Sequence, residues 1–251
     1  MTKIIYSSCE SYILFWYFTI MKKIVVLSGA GMSAESGIST FRDSNGLWEN
    51  HKIEDVATSQ AWERNKELVL RFYNLRRKQL FEVEPNNGHK ALVKLEEKYD
   101  VQIITQNVDD LHERAGSSNI LHLHGELKKV RSTVDSNLVY DWDRWDLKLG
   151  DTCEKGSQLR PHIVWFGEDV PQILNASGIV KQADYLIVVG TSLNVYPAAG
   201  LLYDVRPNVP IYVVDPGNVE VGFFKGVKVI KSNAVEGLTN LVNKLLQINK
   251  K

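Results

Sequence analysis

This chain is poor in cysteine, carries no excess of either charge and lacks an apolar run long enough to cross a bilayer. Cys9 and Cys153 are its 2 cysteines in 251 residues, too few for a disulfide framework and suited to a reducing cytoplasm. The 30 lysines and arginines offset 30 aspartates and glutamates, so no global field favours nucleic acid or an anionic membrane. An apolar stretch from Tyr12 to Ile20 falls short of the ~20 residues that a spanning helix needs. It lacks the small-residue cleavage site of a signal peptide and leads directly into Met21 and the first apolar run. We expect Met21 to be the natural start and residues 1–20 to be a non-native or disordered extension. The chain also lacks internal repeats, low-complexity tracts and any serine or cysteine placed as an activated nucleophile.

Apolar residues make up 44% and charged ones 24%, the balance of a soluble globular protein. Apolar runs recur at Ile24–Leu27, Val101–Ile104, Ile120–Leu123, Tyr185–Val189, Ile211–Val214 and Val227–Ile230. Several are rich in β-branched residues without an alternating polar face, as expected of parallel strands covered on both sides. Helical patterns fall between them, at about Glu63–Glu82, Asn87–Glu97 and from Val235 to the C-terminus. Strands alternating with helices predict an α/β fold, a Rossmann-type doubly wound parallel sheet. Two segments, Ile38–Gly88 and Glu126–Gln158, leave that alternation and are expected to build a small second lobe by insertion.

Four informative segments begin where apolar runs stop: Gly29, Thr105, His122–His124 and Gly190. Ligands of doubly wound sheets bind beyond the carboxyl ends of the strands, so these segments converge on one crevice. Gly29, Ala30, Gly31 and Ser33 are placed to meet phosphate oxygens at a helix start, where the missing side chains of the glycines leave backbone N–H groups open. Gly190, Thr191 and Ser192 form a second such turn, and Arg42 is a candidate to neutralise charge or to pair with Asp43. Asn107 and Asp109 suit a nucleotide's carboxamide or hydroxyls, and equally a turn and cap for the helix carrying His112. His124 is the best general base, because imidazole titrates near neutrality and Gly125 lets backbone approach a ligand. His122, two residues earlier, is its competitor; His51, His89, His112 and His162 read as structural or solvated.

The motifs GAGMSAESGISTFRD, TQNVDDLHERAG, HLHG, LRPHIVWFGE and GTSLNVYPAA resemble the sirtuin family of NAD-dependent protein lysine deacylases, over about Lys23 to Leu245. The resemblance implies one catalytic domain over 21–251, with a large lobe of about 21–37, 89–125 and 168–251 and a small lobe of about 38–88 and 126–160. It implies that Ala30, Ser33, Glu35, Phe41 and Arg42 line an NAD site, that Gln106, Asn107 and Asp109 surround the nicotinamide ribose, and that His124 is the catalytic base with Asn107 beside it. Ala234 falls where the family contacts adenine, and Asp215 where it binds the adenosine ribose. Ile163, Val164, Trp165, Phe166 and Gly167 resemble the strand that pairs with an extended substrate peptide. The reaction so implied transfers the acyl group to ADP-ribose, releasing nicotinamide and free lysine and consuming NAD.

Tyr73 and Arg76, three apart on one helix face, suit a carboxylate and resemble the sirtuin branch that removes succinyl and malonyl groups as well as acetyl. Leu68, Phe72 and Leu75 are read as the stripe that anchors this helix, Arg77 and Lys78 as surface charges. The chain departs from many sirtuins in lacking two Cys-x-x-Cys pairs. Ser132 and Asp135 take the first pair's spacing and only Cys153 remains near the second, so no four-thiolate zinc site is expected. Trp142, Trp145 and Leu147 are expected to supply an apolar mini-core there, about 2–3 kcal/mol for each large aromatic buried. The implied partner is acylated lysine in proteins, not nucleic acid or membrane, and the expected compartment is the cytoplasm. An NAD glycohydrolase or ADP-ribosyltransferase, or a non-catalytic NAD sensor, would use the same pocket without deacylation.

Overall fold

The computed structural model describes residues 21–38, 47–48, 51–219, 221, 224 and 226–247. Phe41, Arg42 and residues 1–20 lie outside them. In chain order the elements are β1 (Lys23–Ser28), α1 (Gly31–Ala34), β2 (Leu47–Trp48), β3 (His51–Lys52), α2 (Ile53–Val56), α3 (Ser59–Arg64), α4 (Lys66–Glu82) and α5 (Asn87–Leu95). Then come β4 (Asp100–Thr105), α6 (Leu111–Ala115), β5 (Ile120–His122), β6 (Gly125–Ser132), β7 (Val139–Asp141) and β8 (Leu159–Ile163). The chain closes with α7 (Ile173–Val180), β9 (Tyr185–Val189), a 3₁₀ helix over Ala198–Asp204, β10 (Ile211–Val214), β11 (Val227–Ile230) and α8 (Ala234–Gln247).

All six apolar runs become strands of one sheet, ordered β11-β10-β9-β1-β4-β5, with every neighbouring pair parallel. That is the Rossmann order, and its direction reverses between β1 and β9. The strands lack a polar face because both sides are covered. Ile24, Val26, Ile103 and Val189 pack with α5 and α8 on one side, and Val25, Leu27, Val188 and Val213 with α7 and the 3₁₀ segment on the other. A separate core, with Phe72, Tyr73, Leu127, Val130, Leu159 and Trp165, joins α2–α4 to a three-stranded antiparallel sheet ordered β7-β6-β8. No helix among the described residues is long and apolar enough to cross a membrane.

Several local expectations need correction. The helix expected over Glu63–Glu82 is two helices broken at Asn65, whose backbone is non-helical and whose side chain accepts from Leu68 N at 3.0 Å as the cap of α4. The excursion from Glu126 contains strand β6, masked in sequence by its charged outer face and by an irregularity between Gly125 and Val130. Leu75 is exposed and does not anchor α4, whereas Arg77 is fully buried. The Arg77 guanidinium donates to Leu127 O (2.6 Å), Asn74 Oδ1 (3.0 Å) and Trp145 O (2.9 Å), tying the helix to the start and the middle of the excursion. Leu147 is buried and Trp142 half-buried in the small-lobe core, but Trp145 is 46% exposed, beneath the Lys78 ammonium. Cys153 Sγ lies 3.3 Å from Ser132 Oγ, which is 3.2 Å from Ser157 Oγ. This hydrogen-bonded cluster stands in the region of the first-pair spacing, and among the described residues no group of three or more His, Cys, Asp or Glu is placed to hold a metal.

Behind the sheet's carboxyl end, His89 and His112 are buried edge to face, ring centroids 4.9 Å apart. His89 Nδ1 accepts from Asn86 N, which keeps that ring neutral, and Ser28 Oγ lies 3.0 Å from His112 Nε2. Burial lowers His89 to about 4 and His112 well below 6.5. Between those values the unfolded chain binds protons that the folded one refuses, so stability falls as pH drops below 6.5. We expect His89 alone to remove about 2 kcal/mol between pH 7.5 and pH 5. Urea midpoints measured across that window check this; a flat profile contradicts it.

Candidate functional site

One cavity of about 850 Å³ opens where the strand order reverses and extends beneath α4. Gly29, Ala30, Gly31 and Glu35 reach it from the β1–α1 turn, Gly190, Thr191 and Ser192 from the end of β9, and Asp215 and Ala234 from the ends of β10 and the start of α8. Gln106, Asn107 and Asp109 enter after β4, and His124 between β5 and β6. Tyr73 and Arg76 line the far end from α4, together with Ile163, Val164, Trp165, Phe166 and Gly167.

The glycines have a different reason from the expected one. Gly29 N donates to Val189 O at 3.0 Å and Gly31 N to Gly190 O at 2.9 Å, so these amides join the two turns and are not open to phosphate. A Cβ on Gly31 would stand 2.7 Å from Gly190 Cα, and one on Gly190, whose φ is +63°, 2.3 Å from Met32 N. Close packing of the two turns across the reversal is what excludes side chains. Ser33 is buried beside the cavity, donating to Asp109 Oδ2 (2.8 Å) and accepting from Asn107 Nδ2 (3.0 Å). Asp109 Oδ1 accepts from the N–H of Leu111, the first residue of α6, at 3.2 Å, and burial raises its pKa. Gln106 Nε2 reaches Thr191 Oγ1 at 3.3 Å, and Glu35 accepts from Val235 N at 2.8 Å, fixing the start of α8.

The two candidate bases separate cleanly. His122 Nδ1 lies 3.1 Å from Asn107 O and its Nε2 2.7 Å from Glu113 Oε1. Burial disfavours its charge, but the Glu113 carboxylate outweighs this and raises its pKa, so it stays engaged in an ion pair. His124 Nδ1 lies 3.0 Å from Gln106 O, which can only accept, so Nδ1 carries the proton and Nε2 keeps its lone pair. Burial holds the His124 pKa below 6.5, against the opposing carbonyl, and the ring is neutral at pH 7. Gly125 again serves packing: its φ is +83°, and a Cβ there would meet His162 O at 2.0 Å. The His124 carbonyl accepts from Val164 N at 2.9 Å, binding the base to the segment after β8.

That segment is not a sheet strand beyond Ile163. Phe166 forms one isolated bridge with Thr58 and is 48% exposed, while Trp165 is buried. Arg160 and Glu168, conspicuous in the LRPHIVWFGE motif but assigned no role from sequence, support it. Their guanidinium and carboxylate pair at 2.7 and 3.2 Å, and Glu168 also accepts from Trp165 N, Arg131 and Ser59.

The Sir2 family profile matches residues 29–197. A protein from Helicobacter pylori strain J99 named NAD-dependent protein deacylase is 56% identical over 228 residues, covering 91% of this chain and 97% of that protein. One of the same name from Bacteroides thetaiotaomicron is 52% identical over 231 residues, covering 90% and 99%. A crystal structure of a Sir2 homolog–NAD complex superposes with a TM-score of 0.81 at 37% identity, covering 96% of each chain. The chain belongs to the Sir2 family.

Proposed function

We propose that this cavity removes acyl groups from protein lysines at the expense of NAD, and that acidic acyl groups such as succinyl and malonyl are among its substrates. NAD-dependent protein deacylation is the activity for which relatives covering nearly the whole chain are named. The observation that carries the reading is the position of His124 in the wall of one cavity that reaches from the Rossmann reversal to Tyr73 and Arg76.

The residues present fit a dinucleotide. Asp215 is a buried carboxylate at the end of β10, suited to ribose hydroxyls, and the two packed turns form a floor without side chains. Ala30, Thr191, Ser192, Gln106, Asn107 and Ala234 would complete the cradle, with Phe41 and Arg42 from outside the described residues. NAD would supply a sugar that accepts the acyl oxygen as nicotinamide departs. The chain supplies the rest. His124 Nε2 takes a proton from a sugar hydroxyl, and Asn107, held by Ser33, presents its amide to the same region. The segment from Ile163 to Gly167 lines the cavity and is exposed at Phe166 and Gly167, where an extended peptide would lie alongside it with its lysine flanked by Trp165 and Phe166. Arg76 and Tyr73 offer a cation and a phenol to an acyl carboxylate.

Incubation with NAD and acetyl- or succinyl-lysine peptides is expected to release nicotinamide in step with loss of acyl mass from the peptide. Nicotinamide release without peptide change would indicate NAD hydrolysis, and neither change would indicate a sensor; either overturns the reading.

A further inference from the structure

Tyr73 is fully buried, and burial pushes its pKa well above 10, so its hydroxyl keeps its proton at any working pH. Its oxygen receives the Trp165 indole N–H at 3.1 Å. An indole nitrogen can only donate, so the direction of this bond is fixed, unlike one between two hydroxyls. A phenol that accepts from a fixed donor has its own single proton left for a different partner. Arg76 lies one turn along α4 on the same cavity wall.

The indole is itself held firmly. Arg160 Cζ lies 3.3 Å from the ring centroid, a close cation–π contact, and the Trp62 ring packs at 5.7 Å. Arg160 is bound by both Glu168 oxygens and donates to Ile163 O at 3.0 Å, while Glu168 accepts from the Trp165 amide at 2.9 Å. Backbone and ring of Trp165 are thus fixed by one ion pair.

We propose that Trp165 is a specificity-determining positioning residue, whose indole N–H occupies the Tyr73 oxygen and turns the phenol's proton toward an acyl carboxylate beside Arg76. The inference rests on the acidic-acyl reading above and deepens it. An acetyl group has no carboxylate to receive that proton, so the relay bears on acidic chains alone.

The test compares Trp165→Phe and Trp165→3-benzothienylalanine, an isostere that keeps the indole's shape without its N–H, with Tyr73→Phe and Arg76→Met. Acetyl- and succinyl-peptide kinetics are measured in parallel. Loss of one oriented hydrogen bond should lower the succinyl-to-acetyl ratio of kcat/KM about 3- to 10-fold, mainly through the succinyl-peptide KM. Combining the isostere with Tyr73→Phe should add little beyond either alone. The isostere decides the matter where the Phe variant folds poorly. An unchanged ratio in the isostere with a collapsed ratio in Arg76→Met overturns the relay and leaves the acidic-acyl reading standing. An unchanged ratio in Arg76→Met overturns both. Equal losses on both peptides would make Trp165 a packing residue only, and the relay would be wrong.

Discussion

His124→Asn is expected to lower deacylation by roughly 10²- to 10⁴-fold, the usual contribution of a positioned general base. The asparagine amide can still donate toward Gln106 O, where His124 Nδ1 now donates at 3.0 Å, so the fold should survive while the basic nitrogen is lost. The pH profile carries a second signature. Because burial depresses the His124 pKa below 6.5, more than half of the free enzyme has an active base at pH 6.5. The acid limb of kcat/KM should therefore fall at lower pH than for an exposed imidazole, and should vanish in the variant. A variant retaining full activity with an unshifted melting temperature would remove His124 from the mechanism. His122 offers no substitute, since Glu113 holds both its position and its charge.

Arg76→Met is the second large effect. Arg76 is 7% exposed and lines the cavity, so a carboxylate reaching it would be largely desolvated. Removing the cation leaves such a carboxylate without its charge partner, whereas an acetyl chain loses nothing. A charge-assisted bond contributes about 1.5–3 kcal/mol, so the succinyl-to-acetyl ratio of kcat/KM should fall by roughly 10- to 100-fold. Parallel initial rates on the two peptides measure it. A ratio unchanged within twofold would show that acidic acyl groups are not read at this position.

The sheet was legible because parallel strands covered on both faces must be apolar on both, so each appears in sequence as an unbroken run. Their C-terminal ends then located the crevice, and with it His124, Asn107 and the two turns. The features that escaped share one property: their partners lie far away in sequence. Arg77 stands in an Arg-Arg-Lys run that looks solvated, yet its acceptor Leu127 O comes 50 residues later. Ser33 lies in a phosphate-like loop, and only the fold shows Asp109 and Asn107 meeting it. Gly29, Gly31 and Gly125 were read as openings toward a ligand, but at each the space a Cβ would take is filled by other parts of the chain. Strand β6 escaped because its apolar positions, Leu127 and Val130, fall out of step with a two-residue period.

Gly125 stands opposite Ile163 in the pairing of β6 with β8, against a carbonyl that leaves no room for a methyl group. A slip of this pair by one residue would bring His124 or Glu126 to that carbonyl, where neither fits. Such a slip would also turn the side chains of β8 to the opposite face. The smallest residue in the small sheet thus acts as its alignment key, and the cavity wall formed by the segment after β8 inherits its accuracy from an atom that is missing.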